Sequence, residues 1–247
     1  MGVLAFGFMI SVSRARNITN ALLSSDHNDD GLHNIFTDEE VNKCSGLISK
    51  NPQLVKTDKK IFLITACGMG GREQAKGKVL SSSGRRLDPI SKNKCIMKSS
   101  DDGGYNWKDF KVFSPGGFDG HNYVDCKGIY DHLRKRLIIQ FDHVRDNKHT
   151  LYQITSEDDG RSFSKPRDLS KYLKGCGAGK VTFGGNNAGD RIQLPLSMSP
   201  QGRILFGSGG GATHEICLWY SDDGGHSYNT TRPSHPHTNE WSMAVAY

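Results

Sequence analysis

Several things are scarce in this sequence of 247 residues. No apolar run is long enough to cross a bilayer as a helix, which takes about 20 residues. The nearest, inside MGVLAFGFMISVSRA at the start, has no basic residues ahead of it. It is either a poor signal peptide or a strand. The six cysteines, at 44, 67, 95, 126, 176 and 217, include no Cys-x-x-Cys pair, which argues against a zinc ribbon. Their wide spacing does not resemble a compact disulfide scaffold. No metal site or cofactor motif is found, and none is expected. Lys and Arg are not interleaved with aromatics in a stripe, so no nucleic-acid partner is expected. The net charge of +6 is mild and suits an anionic ligand. Helical periodicity is sparse. The best run, TDEEVNKCSGLISK (37–50), opens with a capping box, Thr37 with Glu40, and meets Gly46, so at most a short helix is expected.

Glycine, by contrast, is plentiful, at 29, while apolar residues make up only 35 %. Short strands joined by tight turns give this composition, because such turns need residues that accept positive φ. The length is ordinary for one large all-β domain. Two tripeptides, Asn17-Ile-Thr and Asn229-Thr-Thr, permit N-glycosylation if the chain is secreted.

One pattern recurs three times. Ser-x-Asp-x-Gly-x-x-aromatic occurs as Ser100-Asp102-Gly104-Trp107, as Ser156-Asp158-Gly160-Phe163, and as Ser221-Asp223-Gly225-Tyr228. A paired set of strand-like runs precedes each copy: KIFLITA and KCIMKS, then RLIIQFD and TLYQITS, then RILFGS and EICLWYS. Each unit is therefore strand, connection, strand, Asp-Gly turn and a further short segment. Units of this size on antiparallel strands predict blades of a β-propeller. The carboxylates of the turns are expected to be architectural. An Asp or Ser side chain there accepts hydrogen bonds from backbone N–H groups just ahead, and the aromatic is expected to fold into the blade's apolar interior.

The first unit departs from the others. Its paired strands are joined by residues 67–93, which carry Arg72, Lys76, Lys78, Arg85, Arg86 and Lys92 against Glu73 and Asp88. An oversized basic loop in one repeat is either a solvated insertion or a place for an anionic ligand.

The ordered set of motifs resembles the sialidase (neuraminidase) family, whose Asp boxes have this pattern. LVKTDKKIFLITACGMGGREQ is similar to its first blade, SEDDGRSFSKPRDLS to its second box, GDRIQLPLSMSPQGRILFGSGGG to the segment before the third, and NEWSMAVA to its Glu-containing strand. The resemblance covers about residues 50–247. It implies a six-bladed propeller, of which this length provides about four blades, with an N-terminal segment (1–45) expected to be poorly ordered. It also implies an exo-α-sialidase that releases terminal sialic acid with retention, from glycoproteins, glycolipids and oligosaccharides. In that chemistry arginines hold the substrate carboxylate. A tyrosine is the nucleophile, a glutamate its base, and an aspartate on a loop the acid/base.

Carried over residue by residue, Asp88 matches the acid/base, the alternative being a turn Asp before Pro89. Glu240 matches the glutamate that pairs with the tyrosine, the alternative being a solvent-facing strand residue. Arg72 matches an arginine that contacts the carboxylate, with Arg85 or Arg86 as substitutes. Lys50 stands where the family's first triad arginine is expected; lysine keeps the charge but loses the planar fork. The sequence stops at Tyr247, seven residues after Glu240. It is therefore expected to be an N-terminal portion that lacks the nucleophilic tyrosine and two triad arginines, with little activity of its own. The competing expectation is a non-catalytic propeller that binds glycan or protein. A sialylated glycan is the expected partner, in a lysosomal or secreted location with membrane association a further variant.

Overall fold

The computed structural model describes residues 35–43, 52–67, 94–113, 122–145, 148–175, 191–210 and 215–230. They form three four-stranded antiparallel sheets and very little helix. The first sheet is β1 (Gln53–Lys56), β2 (Ile61–Cys67), β3 (Lys94–Ser100) and β4 (Lys108–Phe113). The second is β5 (Asn122–Asp131), β6 (Arg136–Arg145), β7 (Lys148–Ser156) and β8 (Arg167–Asp168), followed by a 3-10 turn at Ser170–Gly175. The third is β9 (Arg191–Gln193), β10 (Ile204–Gly210), β11 (Glu215–Ser221) and β12 (Asn229–Thr230). Each is a simple up-and-down meander, with strands neighbouring in chain order.

The first strands of the sheets lie together: β5 packs on β1 on one side and on β9 on the other. The three sheets therefore radiate from a common line, as blades of a propeller do. The middle strands are buried on both faces, which is why they are near-continuous apolar runs rather than alternating ones. In β2, six of seven residues are buried. One core fills the space between sheets one and two, around Phe62, Ile64, Met97, Ile139 and Phe141. A second fills the space between sheets two and three, around Ile138, Leu151, Phe206, Trp219 and Tyr228.

Each Ser-x-Asp turn joins the third strand of a blade to the fourth, and the three turns are built alike. The serine hydroxyl donates to the aspartate, at 2.7 Å in Ser100–Asp102 and 2.8 Å in both Ser156–Asp158 and Ser221–Asp223. The same hydroxyl accepts from the glycine N–H, at 2.8, 2.8 and 2.7 Å for Gly104, Gly160 and Gly225. The aspartate then accepts the backbone N–H of Asn106, Ser162 or Ser227. The glycines have φ of +99°, +74° and +85°, the left-handed region that glycine enters without strain. These bonds stabilise the ionised carboxyls. The Asn106 amide and the Ser100 hydroxyl hold Asp102 at about 2. The Ser162 hydroxyl and amide lower Asp158 further. At Asp223 partial burial pushes upward, but the Ser227 and Ser221 groups outweigh it and leave the carboxyl at about 2.

The turn aromatics do not enter the interior of their own blade. A four-stranded sheet is one layer thick and has no interior, so each ring packs in the space before its sheet, Tyr228 buried there and Trp107 and Phe163 partly buried. Phe163 packs edge-on against Phe113 of the first sheet, ring centroids 4.9 Å apart. Tyr228 packs in the second core against Trp219 at 4.8 Å. Trp107 lies on the opposite side of the first sheet, with Leu63, Ile96, Phe110 and Val112. Phe36 covers that face, ahead of a short helix, α1 (Asp38–Lys43). The capping box is present: Glu40 accepts the Thr37 amide at 2.8 Å and the Thr37 hydroxyl accepts the Glu40 amide at 3.3 Å. Glu40 also takes the nearly buried Lys98 ammonium at 2.7 Å, and the Ile35 carbonyl accepts from the same nitrogen.

The structure adds a cross-link that cysteine spacing did not indicate. Cys95 of β3 and Cys126 of β5 form a disulfide between sheets one and two, with Cα atoms 5.8 Å apart. Cys67 is disulfide-bonded as well.

Candidate functional site

The meander gives the molecule two ends. At the turn end lie the three Ser-x-Asp turns and the connections within the first strand pair of each sheet. They are tied together there: Lys59 pairs with Asp159 at 3.4 Å, and Arg134 donates to the Asp222 carbonyl at 2.8 Å. At the far end the second strand of each blade passes to the third, and one sheet passes to the next.

The described strands that flank the singled-out residues in sequence begin or end at the far end. β2 ends there at Cys67 and β3 begins there at Lys94, so Arg72, Arg85, Arg86 and Asp88 lie between two far-end positions. β1 starts at that end, three residues after Lys50. β12 runs toward it, ahead of Glu240. Lys50, Arg72, Arg85, Arg86, Asp88 and Glu240 all lie outside the described residues, so their side chains are not placed.

The described residues nearest the far end form a set of buried polar groups. Asp142 and His143 are each 5 % exposed, Tyr123 3 %, Lys127 5 % and Arg191 6 %. Alternation along β5, β6 and β7 sorts them onto two faces. Toward the first sheet, His143 lies between Tyr123 and Tyr152, with ring centroids 5.6 and 6.0 Å away. Toward the third sheet, Arg191 of β9 reaches Gln140 of β6, its Nε and Nη2 each 3.3 Å from Gln140 Oε1. Gln140 in turn donates to the Tyr228 hydroxyl at 3.3 Å, and Tyr228 donates to Gln153. Gln153 donates to the Gly225 carbonyl at 3.1 Å.

Burial decides what these tyrosines do. It pushes Tyr123 up to about 12, helped by Tyr152, and raises Tyr152 as well. Both are neutral phenols at physiological pH, so they are hydrogen-bonding groups rather than ready nucleophiles. No group of three or more His, Cys, Asp or Glu able to hold a metal occurs among the described residues. No helix among them is long and apolar enough to cross a membrane. A depression of about 340 Å³ is lined by His132, Leu133, Gln193, Leu194, Pro195 and Leu196. It belongs to the turn end, and among the described residues lining it only His132 is titratable.

Sequence reasoning missed Asp142, His143 and Arg191. A signal was present for the first two. The apolar run RLIIQF (136–141) is interrupted by Asp-His, two residues that a strand buried on both faces holds only with partners.

Solved structures similar to this chain include sialidases. The chain resembles a Hadza microbial sialidase with a TM-score of 0.58 and 14 % identity, over 79 % of this chain and 39 % of that one. It resembles the intramolecular trans-sialidase from Ruminococcus gnavus, solved with oseltamivir carboxylate, at 0.51 and 13 %, over 73 % and 59 %. It resembles the NanB sialidase from Streptococcus pneumoniae at 0.51 and 11 %, over 81 % and 48 %. The fold is thus sialidase-like, part of a sialidase-type propeller, and the chain spans between 39 and 59 % of the length of these proteins. No protein-family model and no curated protein matches the sequence.

Proposed function

We propose that the chain carries N-terminal blades of an exo-α-sialidase, a retaining glycosidase that removes terminal sialic acid from glycoconjugates. The observation that carries this reading is the sialidase-like fold. The order in which Lys50, Arg72, Asp88 and Glu240 fall among the three repeated turns in the sequence supports it. In this reading Asp88 is the acid/base, Glu240 activates a tyrosine contributed by further blades, and Arg72, with Arg85 or Arg86, holds the substrate carboxylate. The buried Cys95–Cys126 disulfide supports an oxidising location, lysosomal or secreted.

The test is turnover of a fluorogenic α-sialoside by the longest natural product containing this sequence. Asp88→Ala and Glu240→Ala are each expected to lower kcat by about 10²–10⁴, the usual contribution of general acid–base catalysis. Full turnover in both variants overturns the assignment. Lys50, in place of an arginine, favours a second reading: a propeller that binds sialylated glycan without cleaving it. Saturable binding of sialyl-lactose with no turnover in the longest form selects that reading.

A further inference from the structure

We propose that Asn229 is an N-glycan acceptor and that its glycan covers the β12 edge of the third sheet. Three observations that do not depend on the sialidase reading carry this. The tripeptide Asn229-Thr230-Thr231 has the acceptor pattern. Asn229 is exposed, so a product attached there fits the folded chain. And Asn229 opens β12, the last strand of its sheet, which among the described residues pairs only with β11, through Tyr220↔Asn229 and Trp219↔Thr230.

The Cys95–Cys126 disulfide supplies the compartment. Both cysteines are 1 % exposed, and a buried disulfide between sheets forms where folding is oxidising, which is also where N-glycans are added. In the transfer, Asn229 Nδ2 attacks the anomeric carbon of a lipid-pyrophosphate-linked oligosaccharide. A C–N bond forms as the C–O bond to phosphate breaks; Nδ2 gives up a proton and the lipid pyrophosphate leaves. Nothing is oxidised or reduced. The donor meets the chain while it is extended, so the pairing of β12 does not stand in the way.

The placement has a physical use. An outermost strand offers unpaired N–H and C=O groups to another chain, and proteins cover or blunt such edges. β12 is two residues long and consists of Asn and Thr, so its own side chains cover little. A bulky, solvated glycan at its first residue excludes a second edge.

The experiment is expression of the full chain in a eukaryotic host, followed by mass spectrometry of its peptides before and after enzymatic deglycosylation. The peptide holding Asn229 is expected to carry a glycan and to be left with aspartate at that position after removal. Asn229→Gln and Thr231→Ala are each expected to abolish that signal, while any signal at the Asn17 tripeptide stays. Transfer precedes folding, so a variant that folds poorly still reports. An unmodified Asn229 overturns the proposal, whether or not the Cys95–Cys126 disulfide has formed, as does a glycan that survives Thr231→Ala. Deglycosylation of the folded protein is expected to raise self-association in sedimentation; unchanged sedimentation overturns the edge-covering role.

Discussion

The two seams between blades are closed by different means. Between sheets one and two the contact is mainly apolar and is cross-linked. Phe62, Ile64 and Met97 meet Ile139 and Phe141, and Cys95 is bonded to Cys126. The Ile64 side chain packs so close to the β5 backbone that a Cβ on Gly128 would lie 2.5 Å from Ile64 Cδ1. Between sheets two and three, an apolar patch shares the space with a buried polar chain running from Arg191 through Gln140 and Tyr228 to Gln153 and Gly225. An apolar seam gains free energy from area and tolerates small shifts. A polar seam contributes little net stability per bond, but it costs a great deal when one partner is lost, so it fixes one relative placement. The first seam is built for strength and the second for register.

The largest expected effects follow from breaking the first seam. Phe62 is 1 % exposed and lies beside the Gly160 turn of the next blade. Phe62→Ala is expected to cost about 3–5 kcal/mol, from lost transfer free energy and the cavity left behind, measured by urea unfolding. Loss near zero would mean that the sheets do not share this core. The paired substitution Cys95→Ser with Cys126→Ser opens a closed loop whose cysteines are 31 residues apart. Loop-closure entropy puts its cost at about 3–4 kcal/mol, read as a lower unfolding midpoint in non-reducing buffer. Adding reductant to the unsubstituted chain should lower the midpoint at least as far, because the Cys67 disulfide is reduced with it.

The same contrast explains how much the sequence disclosed. β2, β3, β6, β7, β10 and β11 were legible because strands buried on both faces must be apolar throughout. The turns were legible because their geometry demands particular residues at fixed positions: Ser, Asp and a glycine at positive φ. β5 was not legible. Its sequence, NYVDCKGIYD, mixes charge with apolar residues, and it is held by partners distant in sequence. One is Gln53, whose side-chain oxygen accepts the Gly128 amide at 2.7 Å. The short strands β1, β8, β9 and β12 carry too few residues for any period to emerge. The pairing of Cys95 with Cys126 depends on how sheets pack, which spacing does not encode. The site is divided in the same way. The repeat pattern pointed to the oversized first loop and to Asp88, whereas Arg191 and Gln140 face each other only after two sheets are docked.

The second seam is broken by a smaller change. Gln140 is fully buried and accepts both Arg191 contacts. Gln140→Leu keeps the volume and removes that acceptor, and is expected to cost about 1–3 kcal/mol, the desolvation penalty of a buried polar group deprived of a partner. Hydrogen exchange should rise at β9 and β11 and stay unchanged at β2 and β3. Equal exchange in both regions would show that the seams are not independent.

The smallest effect is expected from acid, and its sign is fixed by the turns. Asp102 and Asp223 titrate at about 2 in the folded chain, below their ordinary 3.8, and Asp158 is lowered too. A carboxyl with a depressed folded pKa stabilises the fold fully above its unfolded value and loses that stabilisation as pH falls through the folded value. Stability should therefore decline between about pH 4 and about pH 2, with little slope from this source above. Asp102 and Asp158 are solvent-exposed or nearly so at their carboxyls, and water screens them. Asp223 is partly buried, and its turn carries Gly225 and Tyr228, both members of the polar seam. Protonating Asp223 should loosen that seam first, while the disulfide keeps sheets one and two together. Hydrogen exchange at pH 3 is then expected to rise at β11 before it rises at β3. Asp223→Asn should reproduce the pattern at neutral pH, because the neutral amide accepts the Ser227 bonds more weakly than a carboxylate does.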